Sequence, residues 1–337
     1  MNPIQINDPS GIVPCWCLSK GMAGMISQMT GLAQAVGLPY ECKSTRLGFP
    51  WRWVPMALIP RSSGSLSDPS LIATDEPPQL ILSCGRHGVI PALALKRRFG
   101  SRTLTVQIQD PKVDPSLFDI VVVPEHDYLR GKNVFLTTGA IHHITSARLE
   151  EARRASIAKE LSPAGQTVVP VLIGGPNGYY SFSKSDVRRF FDKLNILGET
   201  HHMRLVVLPS NRTPAELCTE LARTFGEKHY VWNREGTNPY LSALSLASHV
   251  IVTGDSVSMI TEAAATGKPV FVETLTERSR AVRFRRFHES FQQKGITREF
   301  TGRLTDWTYR IPNDTPRVAH LIQERIGCHE HAVTRAA

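Results

Sequence analysis

No apolar run in this chain of 337 residues approaches the ~18 that a membrane-crossing helix needs. The opening Met1-Asn2-Pro3-Ile4-Gln5-Ile6 has neither the basic start nor the apolar stretch of a signal peptide, so the expected location is the cytoplasm. Cysteine is sparse: Cys15, Cys17, Cys42, Cys84, Cys218 and Cys328 are scattered and do not form a secreted disulfide framework. Cys15-x-Cys17 places two thiols on one face of a strand, a packing pattern more than a metal pair, and Cys328-His329-Glu330-His331 has ligand types only in a loose tail. Aromatics are 7%, with no zinc-finger spacing and no stacking platform, so no nucleic-acid partner is expected. Gly267-Lys268-Pro269 lacks the upstream glycine and following Ser/Thr of a Walker loop, and no Gly-x-Ser-x-Gly elbow occurs.

What is present is a globular composition, 41% hydrophobic and 20% charged, with a formal charge of +9 that favours anionic partners. The length exceeds what one core usually holds, which predicts two domains. Short β-rich runs alternate with helical patterns throughout, predicting an α/β fold with parallel sheets. The runs are near 12–18, 80–83, 103–109, 120–123 and 134–136, then 168–173, 204–208, 249–252 and 270–272. Helices are expected at 22–36, 87–99, 150–161, 186–194, 214–225, 257–266, 278–293 and 316–326. In the fourth of these, Val187, Phe190, Phe191 and Leu194 form the stripe of a helix lying on a sheet. Ser162-Pro163-Ala164-Gly165 is a breaker, predicting domains over 1–160 and 161–312. A helix over 313–327 is expected to pack back toward the first domain, and 328–337 to fray. Residues 61–78, rich in Ser, Pro and Asp, read as a surface loop.

Ligands of open parallel sheets collect beyond the carboxyl ends of the strands. The residues there are candidates: Gly21 and Gly24, Gly85 and Arg86, Gln109 and Asp110, Glu125, His126 and Asp127, and Gly139 with His142 in the first half. In the second half they are Gly174, Gly175 and Asn177, Ser210 and Arg212, and Gly254 to Ser258. The strongest signal is 249–272, where a strand ends at Thr253-Gly254 and a helix starts at Ser256, Val257 and Ser258. Amides at such a start favour an anion by roughly 0.3–1 kcal/mol. Gly254 and Asp255 border it, the hydroxyls of Ser256 and Ser258 can donate to phosphate, and Glu262 lies one turn deeper where a carboxylate can accept ribose hydroxyls. The competing reading makes both serines ordinary caps and Glu262 a complement to the helix dipole.

The string 254–263 with Thr266-Gly267-Lys268-Pro269-Val270 resembles the plant mitochondrial-fission (elongated-mitochondria) family and its bacterial relatives. So do Ile108-Gln109-Asp110-Pro111, Val123-Pro124-Glu125-His126-Asp127, Ile173-Gly174-Gly175-Pro176-Asn177, Asn238-Pro239-Tyr240 and Arg285-Arg286-Phe287-His288, in order along nearly the whole chain. The resemblance implies a GT-B-like fold, two Rossmann-like domains facing an interdomain cleft. It implies a glycosyltransferase taking sugar from a nucleoside-diphosphate donor on the second domain to a glycan or lipid-linked acceptor on the first. Two departures stand out. The glycine loop 19–25 carries apolar Met22 and Met25, and the family's Ser-Arg-Arg-Thr reads Ser210-Asn211-Arg212-Thr213, with one arginine fewer.

For such a transfer, Glu125, His126, Asp127, Asp110 or His142 can take the acceptor proton. Arg212 and Arg286 can neutralise the diphosphate, and in the absence of an Asp-x-Asp pair no metal or other cofactor is expected. Two alternatives compete. Gly21-x-x-Gly24 with Tyr180 and Lys184 imitates a nicotinamide-dependent nucleotide-sugar epimerase, although Ser27 stands at the third glycine position. A non-enzymatic recruitment scaffold is the other, with the basic stretch 278–288 as a partner or inner-membrane surface and peripheral association as its consequence.

Overall fold

The computed structural model describes residues 14–198 and 203–336, with no side-chain description from Cys328 onward; the leader reading of residues 1–6 and the Cys328–His331 cluster therefore fall outside it. The chain divides into two compact units. One comprises the residues up to His143 together with those from Asn313, the other Ile144–Pro312.

The first unit is built on a parallel six-stranded sheet. Its elements are β1 (Cys15–Ser19), α1 (Ala23–Val36), β2 (Tyr40–Ser44), β3 (Leu80–Cys84), α2 (Arg86–Phe99), β4 (Leu104–Ile108), β5 (Ile120–Pro124) and β6 (Val134–Thr137). Strand order is β2-β1-β3-β4-β5-β6, so the chain runs outward one way from β1 and then restarts on its other side at β3. β1, β3, β4 and β5 are buried along their length, which explains why they read as continuous apolar runs rather than alternations. Alternate residues feed two cores. Cys15, Cys17, Leu82 and Val106 meet Met29 and Leu32 of α1, whereas Trp16, Leu18 and Ile81 meet Val89 and Ile90 of α2 together with Leu47, Met56, Ile59 and Leu66 from the long β2–β3 connection.

The second unit contains α3 (Ser146–Arg154), α4 (Ser156–Leu161), β7 (Thr167–Ile173), α5 (Lys184–Gly198), β8 (Met203–Pro209), α6 (Ala215–Phe225), β9 (Tyr230–Val231) and α7 (Tyr240–Leu246). It continues through β10 (Val250–Thr253), α8 (Val257–Ala264), β11 (Val270–Glu273), α9 (Val282–Gln293) and β12 (Thr297–Glu299). All pairings are parallel and the order is β12-β11-β10-β7-β8-β9, which read from the other edge is the Rossmann order 3-2-1-4-5-6. Val171, Ile173 and Val207 pack on Phe190, Phe191 and Leu194 of α5 and Leu221 of α6. The opposite face packs Leu172, Val252 and Val270 on α7, α8 and α9. The last element, α10 (Thr315–Ala336), returns to the first unit, where Val318, Ala319 and Ile322 complete the core beside α1.

The unit boundary falls at 143/144, earlier than the breaker near 160. The single helix expected over 150–161 is two, interrupted by Ala155 in extended conformation, and α3 is tied to the second unit by Ser242 Oγ donating to Ala152 O at 2.8 Å. The helix expected from 278 starts only at Val282, because the preceding residues pair with another loop: Arg278 N donates to Tyr179 O and Ser279 Oγ to Gly178 O. The tail expected to fray continues α10 to Ala336. No described helix is long and apolar enough to cross a membrane.

Candidate functional site

Chain order makes β7/β10 the topological switch point of the second sheet, where the flanking loops diverge and open sheets take ligands. Gly174-Gly175 leave β7 on one side of it, and Gly254-Asp255-Ser256 leave β10 on the other. Asp255 organises both. One carboxylate oxygen accepts from Thr253 Oγ1 at 2.6 Å; the other accepts from Gly175 N at 3.1 Å and Arg212 Nη2 at 2.6 Å. Gly174 N donates to Thr253 Oγ1 at 2.8 Å, Arg212 Nη1 to Gly175 O at 2.6 Å, and Asn177 Nδ2 to Asp255 O at 3.1 Å. Only glycine fits this turn: a Cβ on Gly174 would lie 2.1 Å from the Asp255 carboxylate, and one on Gly175 2.0 Å from Arg212 O. Ser210 sits on the third loop, its Oγ accepting from Arg212 N.

The start of α8 faces this junction. Ser256 caps it, accepting from Met259 N at 3.3 Å, and the first turn holds no acidic side chain to compete with an incoming anion. Val257 and Ser258 are half-buried there. Beneath, Gly254 N donates to Glu273 O, and Gly254 O accepts from His288 Nε2 at 2.8 Å. Burial holds the His288 imidazole below its ordinary range, which keeps the ring neutral with its proton on Nε2. Glu262, one turn into the helix, is buried and its Oε2 accepts from Tyr240 Oη at 2.7 Å. Burial first, then the Glu262 charge and hydrogen bond, drive the Tyr240 phenol far up, so tyrosine is the donor and glutamate the carboxylate.

These contacts revise several sequence expectations. Arg212 is committed to Asp255 and Gly175 rather than projecting alone toward a diphosphate. Asp255 is a structural hub at 2% exposure. Ser256 acts as a cap through its Oγ. Thr253, Thr213, Tyr240 and His288 belong to the same network but were not singled out as site residues. All four stood inside the strand-end and family strings of the sequence, and Asn238 accepts from Tyr240 N at 3.0 Å.

In the first unit the candidates lie at the carboxyl edge of its sheet. Gly21 and Gly85, both with positive φ, flank the β1/β3 switch point, and Gly24 in the first turn of α1 accepts from Gln28 Nε2. Arg86 Nη2 donates to Trp51 O and Val54 O, holding the β2–β3 connection. Gln109 follows β4 with positive φ, and Asp110 is ion-paired to Lys112 at 2.5 Å. After β5, the side chains of His126 and Asp127 are enclosed, 3.6 Å apart, while Glu125 is exposed. Gly139 O accepts from Thr137 Oγ1, and buried His142 bonds through its backbone to Thr315 at the start of α10. A pair not foreseen joins Ser27 Oγ on α1 to His143 Nδ1, in the segment before α3, at 2.5 Å. Arg286 is on the exposed face of α9. Tyr180 is buried against Phe284 and its phenol is raised to about 12, chiefly by burial, whereas Lys184 is exposed at the start of α5; their spacing builds no proton-transfer pair. Among the described residues no three His, Cys, Asp or Glu side chains are placed to hold a metal ion.

The profile of the family described as Mitochondrial fission ELM1 matches residues 23–326, which decides the kinship. The chain belongs to the mitochondrial fission ELM1 family. Within it, the Mitochondrial fission protein ELM1 of Arabidopsis thaliana is 30% identical over 278 residues, 74% of this chain; the chain spans 64% of that protein's length. An uncharacterized protein of Rickettsia prowazekii is 24% identical over 341 residues, covering 89% of this chain and 92% of its own. Among solved structures, the fold of this ELM1-family chain is similar to the UDP-GlcNAc 2-epimerase of Neisseria meningitidis bound to UDP-GlcNAc. The TM-score is 0.53 at 13% identity, covering 92% of this chain and 98% of that one. It is similar as well to the UDP-GlcNAc 2-epimerase of Methanocaldococcus jannaschii in complex with UDP-GlcNAc and UDP, with TM-score 0.51, 10% identity, and coverage of 92% and 99%. At those identities the likeness establishes the fold, a GT-B-like pair of Rossmann-like units.

Proposed function

We propose that the second unit binds a nucleoside-diphosphate sugar and that the chain transfers the sugar, without a metal, to an acceptor hydroxyl presented on the first unit. One observation carries the reading: the β7/β10 switch point has two glycine-bordered strand ends beside the start of α8, whose first turn holds no acidic side chain. A diphosphate at that start meets first-turn amides and the helix dipole, and the hydroxyl of Ser258 can add a hydrogen bond. Glu262, oriented by Tyr240, is the group for the ribose hydroxyls. The UDP-sugar held by the similar Neisseria fold supports the choice of ligand class. In the transfer, the acceptor oxygen bonds to the anomeric carbon as the bond to the diphosphate oxygen breaks. The acceptor proton goes to a base, for which Glu125 is the accessible carboxylate of its cluster.

The test is a thermal-shift panel of UDP, GDP, ADP and CMP with their sugar conjugates, on wild type and Glu262→Ala, with and without chelator. One nucleotide series should raise Tm, by an amount that follows its affinity. Glu262→Ala should lose most of the gain, and chelator should change nothing. No response to any nucleotide rejects the proposal.

A second reading is favoured by one contact. Because Arg212 is spent on Asp255, the pocket can be a remnant in a non-enzymatic scaffold of the fission type. That reading expects nucleotide-induced stabilisation without turnover of any conjugate.

A further inference from the structure

The β2–β3 connection carries an exposed surface that the nucleotide reading does not use. Between Glu41 and Asp68 the sequence has four basic residues, Lys43, Arg46, Arg52 and Arg61, and no acidic one. The connection is not slack. Leu47, Met56, Ile59 and Leu66 are buried in the first unit's core, backbone turns close at Arg52, Trp53 and Leu58, and Arg86 grips the carbonyls of Trp51 and Val54. On this anchored frame, three large apolar side chains face solvent: Phe49 at 79% exposure, Leu58 at 70% and Trp53 at 66%. Phe49 and Trp53 stack edge to face at 5.8 Å, and the Arg52 guanidinium lies 3.8 Å over the Trp53 ring.

Contiguous exposed apolar surface marks an interaction site, and the Phe49 and Trp53 rings are contiguous. Aromatic rings beside arginines, with no acidic residue between Glu41 and Asp68 in the sequence and Asp114 the carboxylate near Arg61, match one surface chemically: the headgroup layer of an anionic bilayer. There the rings reach the acyl boundary while the guanidinium groups meet phosphate. The basic helix α9 fits that role less well. Its Phe284 and Phe287 point inward and it exposes no aromatic ring, only Val282 at its first turn. We propose that the surface formed by Arg46, Phe49, Arg52, Trp53, Leu58 and Arg61 is a membrane-docking platform for anionic lipid, on the first unit and independent of the nucleotide site.

The test uses the full chain with vesicles of phosphatidylcholine alone or mixed with phosphatidylglycerol. Co-sedimentation should occur with the mixed vesicles only and weaken with salt. It should be lost in Phe49→Ser/Trp53→Ser and in Arg46→Glu/Arg52→Glu. Thermal melting of both variants should match wild type, since the replaced side chains are exposed. Lipids brominated on their acyl chains should quench tryptophan emission in wild type and much less in Trp53→Ser. Absence of binding to the anionic vesicles, or binding that survives both double variants, overturns the proposal. So does a wild-type dimer by light scattering that either variant returns to monomer without any vesicle binding, which would make the surface a contact between chains.

Discussion

A methyl group on Gly174 would meet the Asp255 carboxylate at 2.1 Å, and neither the strand end nor the three-donor clamp on that carboxylate has room to yield. Gly174→Ala should cost about 1–3 kcal/mol, the usual range for overpacking. Gly178→Ala, a few residues on with nothing within 4 Å, should be nearly neutral by urea unfolding. Equal midpoints for the two would remove Asp255 from its central place. Two histidines make a second case. Nδ1 of His87 accepts from Leu47 N at 3.0 Å and Nδ1 of His229 from Leu205 N at 3.4 Å, so both rings fold neutral. Burial, reinforced by neighbouring basic groups, holds both below the ordinary 6.5. The unfolded chain then binds protons that the folded chain refuses as pH drops below 6.5. Stability should be flat above that pH and fall beneath it. Urea midpoints at about pH 7.5 and about pH 5.5 measure the effect, and replacing either histidine by glutamine should flatten the profile. At this scale the sequence revealed residue types but not partners. Glu262 and Tyr240 are 22 positions apart, and Arg212 and Asp255 are 43 apart, distances over which no local pattern reaches.

Among elements, the long buried strands and striped helices were legible because burial on both faces leaves continuous apolar runs and burial on one leaves a 3.6-residue stripe. β2 was not, since its Glu41, Lys43 and Ser44 look like loop; it sits on an edge and needs little apolar surface. α7, β9 and β12 were too short to show a period. The closing helix α10 yields a prediction at this level. Ile322 is fully buried beside α1, so Ile322→Ala should destabilise the first unit by about 2–5 kcal/mol, checked by chemical denaturation. At α8, Ser256→Ala should lose about 1 kcal/mol of cap while Ser256→Gly loses a few tenths. A null result for the alanine variant would mean that the Met259 amide finds another acceptor.

For the whole molecule, each unit has its own sheet and its own cores, but only the second is continuous in sequence. A fragment spanning 144–312 should therefore fold alone, with far-ultraviolet dichroism and cooperative melting, and should retain the proposed nucleotide response. A fragment ending at 143 should not fold, because α10 supplies part of its core; addition of the closing segment restores what is missing. A non-cooperative 144–312 fragment would show that the second core depends on the first. The sequence by itself determined the α/β alternation, the family and the strand-end positions where small and polar residues gather, because these depend on local periodicity and short motifs. Only the tertiary structure decided which strands are neighbours, that 144–161 belongs with the second unit, and that Arg212 answers to Asp255. Those outcomes rest on crossovers and buried polar pairs between distant segments, whose energies exist only once the segments meet.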